Sequence, residues 1–382
     1  MGDSAPIART IGSGPVDTIN WLVSLNRLIM GAEGSEIVCR TNGDDEPLTP
    51  SKFNMKTIST QGSNNVAAAK VDTNAVFVQR GGIRLMEIAE DEALRNTTGD
   101  LSLFHPTIGS PGITHVAVQR QPDTRIHCLR SDGTVAILVY DSRENVLCWV
   151  EYSSGGAGVV EDIVIVPGAD GIGEDAVYYV VKYTINSSTV RYLEKFALES
   201  QCQGGTVNRQ VDSFVTYSGA STASVTGATH LEGETVAVWG GGKDLGTYRV
   251  SGGAFTLTEA VTDYVYGLSY TAQFKSTKLA YAAGLGTGLV QKKTINQMGV
   301  ILKNTHYQGL KYGPDFDNLD NLPLVGDGDS IAADTVHSAF DEESFMFDGG
   351  WDTDARLCLQ AASPRPVTVI AAIISLATND KY

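Results

Sequence analysis

The sequence predicts an all-β protein built from repeated, β-propeller-like blades and a further C-terminal β domain. The chain of 382 residues contains 41 glycines and 12 prolines, a composition that favours many tight turns and therefore many short strands. A strand, a short turn and a second strand recur five times, at residues 27–39, 75–88, 125–140, 176–194 and 235–250. A period of about 50 residues is typical of one propeller blade.

The turns inside these repeats have the chemistry of β-hairpins. Gly81-Gly82 and Asp132-Gly133 each separate two apolar runs, and glycine adopts the positive φ that two-residue hairpin turns require. Equivalent apolar positions are 48, 50, 51 and 59 residues apart, at Leu28, Val76, Ile126, Val177 and Val236. A meandering β-sandwich with evenly spaced hairpins is the alternative. Only residues 86–95 and 191–199 have the composition of helices.

The charge pattern divides the chain. Residues 264–312 contain six lysines and no acidic residue, whereas residues 313–355 contain twelve acidic residues and no lysine or arginine. This change predicts a domain boundary near residue 260, giving an N-terminal arm at 1–20, a propeller-like domain at 21–260 and a C-terminal β domain at 261–382. That last domain is expected to end in a buried strand at 367–376, where β-branched and apolar residues predominate.

The lysines of the basic block are the candidate interface or channel residues: Lys275, Lys278, Lys292, Lys293, Lys303 and Lys311. They and the acidic block are suited to complementary surfaces in a ring of subunits. Two alternatives stay open. The lysines could face a channel and contact DNA, or they could belong to an ordinary solvated surface.

The sequence carries no recognisable catalytic motif. The chain lacks a nucleophile elbow, a zinc-binding helix and a phosphate-binding loop, and its five cysteines and six histidines are dispersed. The acidic run at Asp315, Asp317, Asp320, Asp327 and Asp329 could offer oxygen ligands to calcium, but it lacks EF-hand spacing. We therefore expect no catalytic residue, no cofactor and no metal site, and no segment is apolar enough to span a membrane.

Several segments, in the same order along the chain, resemble the nozzle proteins of short-tailed bacteriophages, also called tail tubular protein B. The segments are 31–34, 47–50, 77–82, 101–108 (Leu-Ser-Leu-Phe-His-Pro-Thr-Ile), 111–122, 130–141, 146–149, 190–194, 230–236 and 364–370. They cover most of residues 20–375. The chain starts close to the first of them, so the resemblance implies that much of the family's N-terminal portion is lacking.

The resemblance implies a structural protein of the virion tail, made in the host cytoplasm, that forms a homohexameric ring. Its implied partners are a tail adaptor protein, tail fibres or spikes, and DNA that passes through the central channel without sequence-specific binding. A net charge of −16 fits a wall that DNA slides past. The alternative from another class is a propeller-like protein that binds or cleaves carbohydrate.

Overall fold

The computed structural model describes residues 5–8, 18–41, 46–90, 96–169, 171–280, 288–322, 332 and 334–379. Within them the backbone forms 26 strands in seven antiparallel sheets, together with three single turns of 3₁₀ helix at Gly155–Ala157, Glu199–Gln201 and Thr229–Leu231. This confirms the all-β class. Of the residues described, no helix is long and apolar enough to cross a membrane. Most of the predicted arm at 1–20 lies outside the described residues.

The chain divides into two compact units. The first unit comprises Met1–Tyr183 and Val190–Phe196, and the second comprises Thr184–Thr189 and Ala197–Tyr382. The predicted boundary near residue 260 falls inside a single strand, Ala254–Leu268. A compact unit is defined by the core that its strands bury together, and a change in charge along the chain does not report that core.

The first unit is built from four sheets that follow one another along the chain, each a simple meander. Sheet 1 contains β1 (Ile19–Ser24), β2 (Leu28–Ala32), β3 (Glu36–Arg40) and β4 (Asn54–Ser59); sheet 2 contains β5 (Ala69–Val71), β6 (Asn74–Val78), β7 (Leu85–Glu90) and β8 (Asn96–Asp100). Sheet 3 contains β9 (Ile113–Gln119), β10 (Arg125–Arg130), β11 (Val135–Asp141) and β12 (Val146–Tyr152); sheet 4 contains β13 (Val159–Val166), β14 (Ala176–Ile185) and β15 (Ser188–Lys195).

The same backbone hydrogen bond joins each of these sheets to the next. A carbonyl at the central turn of one sheet accepts from an N–H in the segment that leads into the following sheet or in its first strand. The pairs are Ala32 O with Ser63 N at 2.8 Å, Gly82 O with Ile113 N at 2.7 Å, and Gly133 O with Val160 N at 2.9 Å. The acceptors recur at the period of about 50 residues that the sequence shows. The propeller-like repeat is therefore present in the backbone as well as in the sequence.

Apolar side chains fill the space between successive sheets. Trp21 of sheet 1 lies against Phe77 of sheet 2, with ring centroids 5.4 Å apart. Between sheets 3 and 4, His127 is buried, and its Nδ1 lies 2.7 Å from the Tyr179 hydroxyl. Burial, assisted by the charge of Arg125, lowers the pKa of His127 to about 4, so the imidazole is neutral near pH 7. His127 is thus a hydrogen-bonded core residue.

The second unit contains three sheets. The first has the order β16-β19-β17-β18 and is formed by β16 (Asp212–Thr226), β17 (Thr235–Gly240), β18 (Lys243–Arg249) and β19 (Ala254–Leu268). The other two are formed by β20 (Thr271–Lys275), β21 (Lys293–His306), β22 (Leu310–Gly313), β23 (Asp320–Asn321), β24 (Val336–Met346), β25 (Cys358–Ala362) and β26 (Thr368–Thr378). Their orders are β20-β25-β22-β23 and β24-β21-β26.

The five predicted hairpins lie in five separate sheets, as expected for blades. Two details of the prediction are wrong. The described parts of the helix-like segments are extended instead, because residues 86–90 belong to β7 and residues 191–195 to β15. Residues 91–95 lie outside the described residues. The closing strand is present as β26, but it is buried on one side only: Ala372, Ile374 and Leu376 pack against the core, whereas Ile370 is 60% exposed and Ile373 is 58% exposed.

A buried carboxylate lies where sheet 1 meets the chain leading to sheet 2. Glu36 is fully enclosed, and its two oxygens accept hydrogen bonds from Ser59 Oγ at 2.6 Å and Ser63 Oγ at 2.9 Å. Burial raises its pKa above the ordinary value of 4.5, although these hydrogen bonds act in the opposite direction.

This raised pKa predicts how a neutral replacement changes stability with pH. The folded protein binds the Glu36 proton more tightly than the unfolded chain. The stabilisation that this proton contributes is therefore fully present below pH 4.5 and is lost as pH rises through the folded pKa. Relative to wild type, Glu36→Gln should therefore gain stability as pH increases from 4 to 7. Urea unfolding of both proteins across this range measures the difference, and a difference independent of pH would contradict the prediction.

Candidate functional site

The six lysines predicted from the charge pattern lie in the second unit but do not form one strip. Lys275 ends β20, Lys303 lies on β21 and Lys311 lies on β22; these three and Lys292 are exposed, and Lys278 is half-buried. Strands β20 and β22 share a sheet, whereas β21 belongs to another. Their role in contacts between subunits or with DNA stays a prediction.

Lys293 requires a correction, because its enclosed side chain is not available for contact with another subunit or with DNA. The residue is fully enclosed, and its Nζ donates hydrogen bonds to the backbone oxygens of Gly288 at 2.5 Å and Gln291 at 3.2 Å. Burial lowers the pKa of Lys293, and the charge of Lys278 adds to the effect. A change of Lys293 to Glu would set a carboxylate against these carbonyls, so it would disturb the fold rather than test an interface.

The acidic run does not assemble a metal site in the described part of the chain. Asp315 Oδ1 accepts hydrogen bonds from the backbone N–H groups of Asp317 and Asn318, so it stabilises its own turn. Asp327 and Asp329 lie outside the described residues. Within the ranges described, no three carboxylate, histidine or cysteine side chains form a group that could hold a metal ion.

The most distinctive polar surface lies on sheet 4 of the first unit. Along β14, alternate residues point to opposite sides of the sheet. Tyr179 is buried and contacts Tyr152 of sheet 3, with ring centroids 5.6 Å apart. Tyr178, Val180 and Lys182 alternate with such core residues and are half-buried. We call the side of sheet 4 that carries these three residues the open face.

The pairing of β14 with its neighbours sets the arrangement of this face. The N–H of Phe196 donates to Val177 O at 3.0 Å, which fixes the antiparallel register of β15 against β14. Tyr178 therefore lies beside Lys195, and Lys182 lies beside Arg191. On the other side, β13 pairs Val164 with Tyr178.

One end of the open face is a network of charges around Glu161. Arg191 Nε lies 2.6 Å from Glu161 Oε2, Arg191 Nη2 lies 3.2 Å from Oε1, and Lys182 Nζ lies 3.3 Å from Oε1. The strand β13 has a register shift between Val160 and Asp162, and this bulge places Glu161. The hydrogen bond from Arg191, then that from Lys182, lowers the pKa of Glu161, so the carboxylate stays ionised.

The other end of the open face is aromatic and apolar. Lys195 Nζ lies over the Tyr178 ring, 5.8 Å from its centroid. Beside them Val164 is 48% exposed and Leu193 is 70% exposed. Toward sheet 3, Asp162 Oδ1 lies 3.1 Å from His115 Nδ1. The open face therefore combines an aromatic and aliphatic surface with two charged donors, Arg191 and Lys182, which we call the charged fork. This arrangement suits a ligand with one apolar face and polar edges.

This surface is not predicted by the sequence. The turn and alternation of residues 176–194 indicate a hairpin, but they do not show that its charged residues lie together. The signal that could have found them is the alternation of side chains along each strand. Lys182 alternates with the buried tyrosines of β14, and Arg191 and Lys195 alternate with Tyr192 and Glu194 in β15. Their common position on one side of three strands depends on the strand register, which the tertiary structure fixes.

No protein-family model and no curated protein matches the chain. Solved structures with a similar arrangement include an exo-β-1,3-galactanase from Phanerochaete chrysosporium, with 8% identity, coverage of 98% of this chain and 100% of that chain, and a TM-score of 0.25. A second is a glycoside hydrolase with 9% identity, 93% and 83% coverage and a TM-score of 0.25. A third is the Bacteroides ovatus xyloglucan PUL protein GH43B, with 9% identity, 95% and 89% coverage and a TM-score of 0.25.

These comparisons contradict two expectations, the phage tail tube and the chain without enzymatic activity, because the similar structures are glycoside hydrolases. At these TM-scores and identities, no substrate or catalytic residue is transferred to the present chain. The resemblance to nozzle proteins, the homohexameric ring, the adaptor and fibre partners and the virion location stay predictions.

Proposed function

We propose that the protein binds carbohydrate on the open face of sheet 4. The observation that carries the proposal is the shared row of β14, in which the Tyr178 ring and Lys182 of the charged fork lie on one side of the sheet. The neighbouring apolar side chains of Val164 and Leu193 extend the surface beside the ring.

The chemistry of this row matches the chemistry of sugars. One face of a pyranose ring presents C–H groups, which pack on an aromatic ring through apolar contact and the ring's negative face. The hydroxyls at the edge of the sugar both donate and accept hydrogen bonds. The hydroxyl oxygens accept hydrogen bonds from donors such as the nitrogens of Arg191 and Lys182. On a flat surface of this type, the face of a sugar ring stacks on the tyrosine while the hydroxyls at the sugar's edge contact the charged side chains.

The affinity for one oligosaccharide is expected to be modest. A flat sheet face covers a ligand on one side only, and the ordering of long charged side chains opposes binding. We therefore expect dissociation constants on the order of 0.1–1 mM, corresponding to about 4–5.5 kcal/mol.

The test is a glycan-binding screen with the full chain, followed by isothermal titration of the best ligand. Tyr178→Ala should weaken binding at least about tenfold, because it removes the stacking surface. Phe104→Ala is the matched control, since Phe104 is an 89% exposed aromatic residue outside sheet 4. Equal affinity of Tyr178→Ala and wild type, with both folded by circular dichroism, would place binding elsewhere. Absence of binding to every glycan would reject the proposal.

The same ligands also test for cleavage. Chromatography of each bound oligosaccharide after incubation with the protein shows whether binding is followed by hydrolysis. If products appear, their loss in Tyr178→Ala would connect cleavage with the open face.

A further inference from the structure

We infer that the carbohydrate of the open face carries a carboxylate, as uronic acid sugars do, and that Glu161 occupies the position of that carboxylate in the free protein. This inference rests on the proposed function, because it specifies the ligand class of the same surface. The charged fork of Arg191 and Lys182 would bind the acid group, and the Tyr178 end would bind a neighbouring sugar ring.

The fork already has the geometry of a carboxylate receptor. Two nitrogens of Arg191 approach the two oxygens of Glu161, at 2.6 and 3.2 Å, and Lys182 adds a third donor at 3.3 Å. The planar guanidinium matches a carboxylate with two parallel hydrogen bonds. A uronate presents the same two oxygens as Glu161, so the exchange of one carboxylate for the other preserves the contacts of both cations.

Glu161 is placed so that it can be displaced. The side chains of Glu161, Lys182 and Arg191 are 30%, 37% and 58% exposed, respectively, so all three can be reached from solvent. Ion pairs at this level of exposure are individually weak, because water solvates both partners once they separate. Glu161 would then act as an internal competitor that holds the fork in place until the ligand arrives.

The local charge favours an anionic ligand. The open face and its margin carry three cations, Lys182, Arg191 and Lys195, against two carboxylates, Glu161 and Asp162. One positive charge is left over, which a single ligand carboxylate would balance. The whole chain has a net charge of −16, so this local excess stands out from its surroundings.

The length of the row indicates an oligosaccharide. Lys182 and Tyr178 are four residues apart on β14, a distance of about 13 Å at roughly 3.3 Å per residue. That distance exceeds one sugar ring, so the ligand must extend over more than one unit to reach both ends. A single uronic acid would engage the fork alone and bind more weakly than an oligomer.

The experiment compares two ligands that differ only in the group at C6 of each sugar, a galacturonate tetramer and its carboxyl-reduced neutral counterpart. Wild type should bind the acidic tetramer at least about threefold more tightly, and a rise in salt should weaken only that ligand. Arg191→Gln should lower the affinity for the acidic tetramer to the affinity for the neutral one. Glu161→Gln should raise the affinity for the acidic tetramer about three- to tenfold and leave the neutral one unchanged, because it removes the competing charge.

The matched control is Glu259→Gln. It breaks an exposed ion pair of similar type, between Glu259 and Lys243 at 3.1 Å in the second unit, and should change neither affinity.

Each outcome decides between the inference and the function on which it rests. If Glu161→Gln weakens both tetramers, Glu161 contacts sugar hydroxyls directly, and the inference is overturned while the proposed function stands. Equal wild-type affinity for the two tetramers would also overturn the inference and leave the proposed function standing. If neither tetramer binds and a broad glycan screen is also negative, the proposed function fails as well.

Discussion

Replacement of Trp239 by alanine should lower the free energy of unfolding of the second unit by about 3–5 kcal/mol, the usual cost of removing a large buried aromatic residue. Trp239 is fully enclosed on β17. Its Nε1 donates to Gly205 O at 2.9 Å, and its ring lies edge-to-face with His306 at a centroid distance of 6.0 Å. The change therefore removes the packing of an enclosed ring, including its contact with His306, and one hydrogen bond.

Urea unfolding followed by far-UV circular dichroism measures this effect, with the two units fitted separately if two transitions appear. Trp239→Phe is the control, because it keeps an aromatic ring and removes the indole N–H. It should cost less, about 1–2 kcal/mol, mainly through the unsatisfied carbonyl of Gly205. A loss below about 1 kcal/mol for Trp239→Ala would show that the enclosed position is wrong.

Gly31→Ala should destabilise the first unit by about 3 kcal/mol, because there is no space for a single methyl group. A Cβ at Gly31 would lie only 2.0 Å from Cε2 and 2.3 Å from Cζ2 of Trp21. Trp21 faces Gly31 across the β1–β2 ladder and is confined on its other side by Phe77. The indole cannot move aside without disturbing the boundary between sheets 1 and 2.

Gly99→Ala is the matched control within the same unit, since a Cβ at Gly99 has no atom within 4 Å. It should leave the unfolding midpoint unchanged or raise it slightly. The double change Trp21→Leu with Gly31→Ala should cost less than the sum of the two single changes, because a smaller side chain relieves the clash. Strict additivity would show that the two residues do not compete for the same space.

The hairpins could be predicted from the sequence because their signals are local. Gly81-Gly82 and Asp132-Gly133 specify tight turns by their own backbone preferences, and the flanking alternation specifies strands. The repeat could be predicted for the same reason, since similar turns recur at similar intervals. The structure adds the backbone hydrogen bonds, such as Gly82 O with Ile113 N, that join one sheet to the next.

Predictions of burial or exposure from the charge and hydrophobicity of a segment were less successful. Lys293 belongs to a basic run in the sequence, yet it is enclosed and donates to backbone carbonyls. The apolar strand β26 was expected to be buried, yet Ile370 and Ile373 are largely exposed. Charge and hydrophobicity give a residue's preference for water, whereas burial depends on which strands pack over it.

By itself, the sequence determined the all-β class, the five hairpins and their period, because each follows from turn residues and alternation within a few positions. Only the tertiary structure decided which strands share a core and which side of sheet 4 is open. Tyr178, Glu161 and Arg191 are separated by up to 30 positions in the chain, and they lie on one face because β13, β14 and β15 pair in one register. A shift of one residue in that register would turn Tyr178 toward the core and abolish the open face.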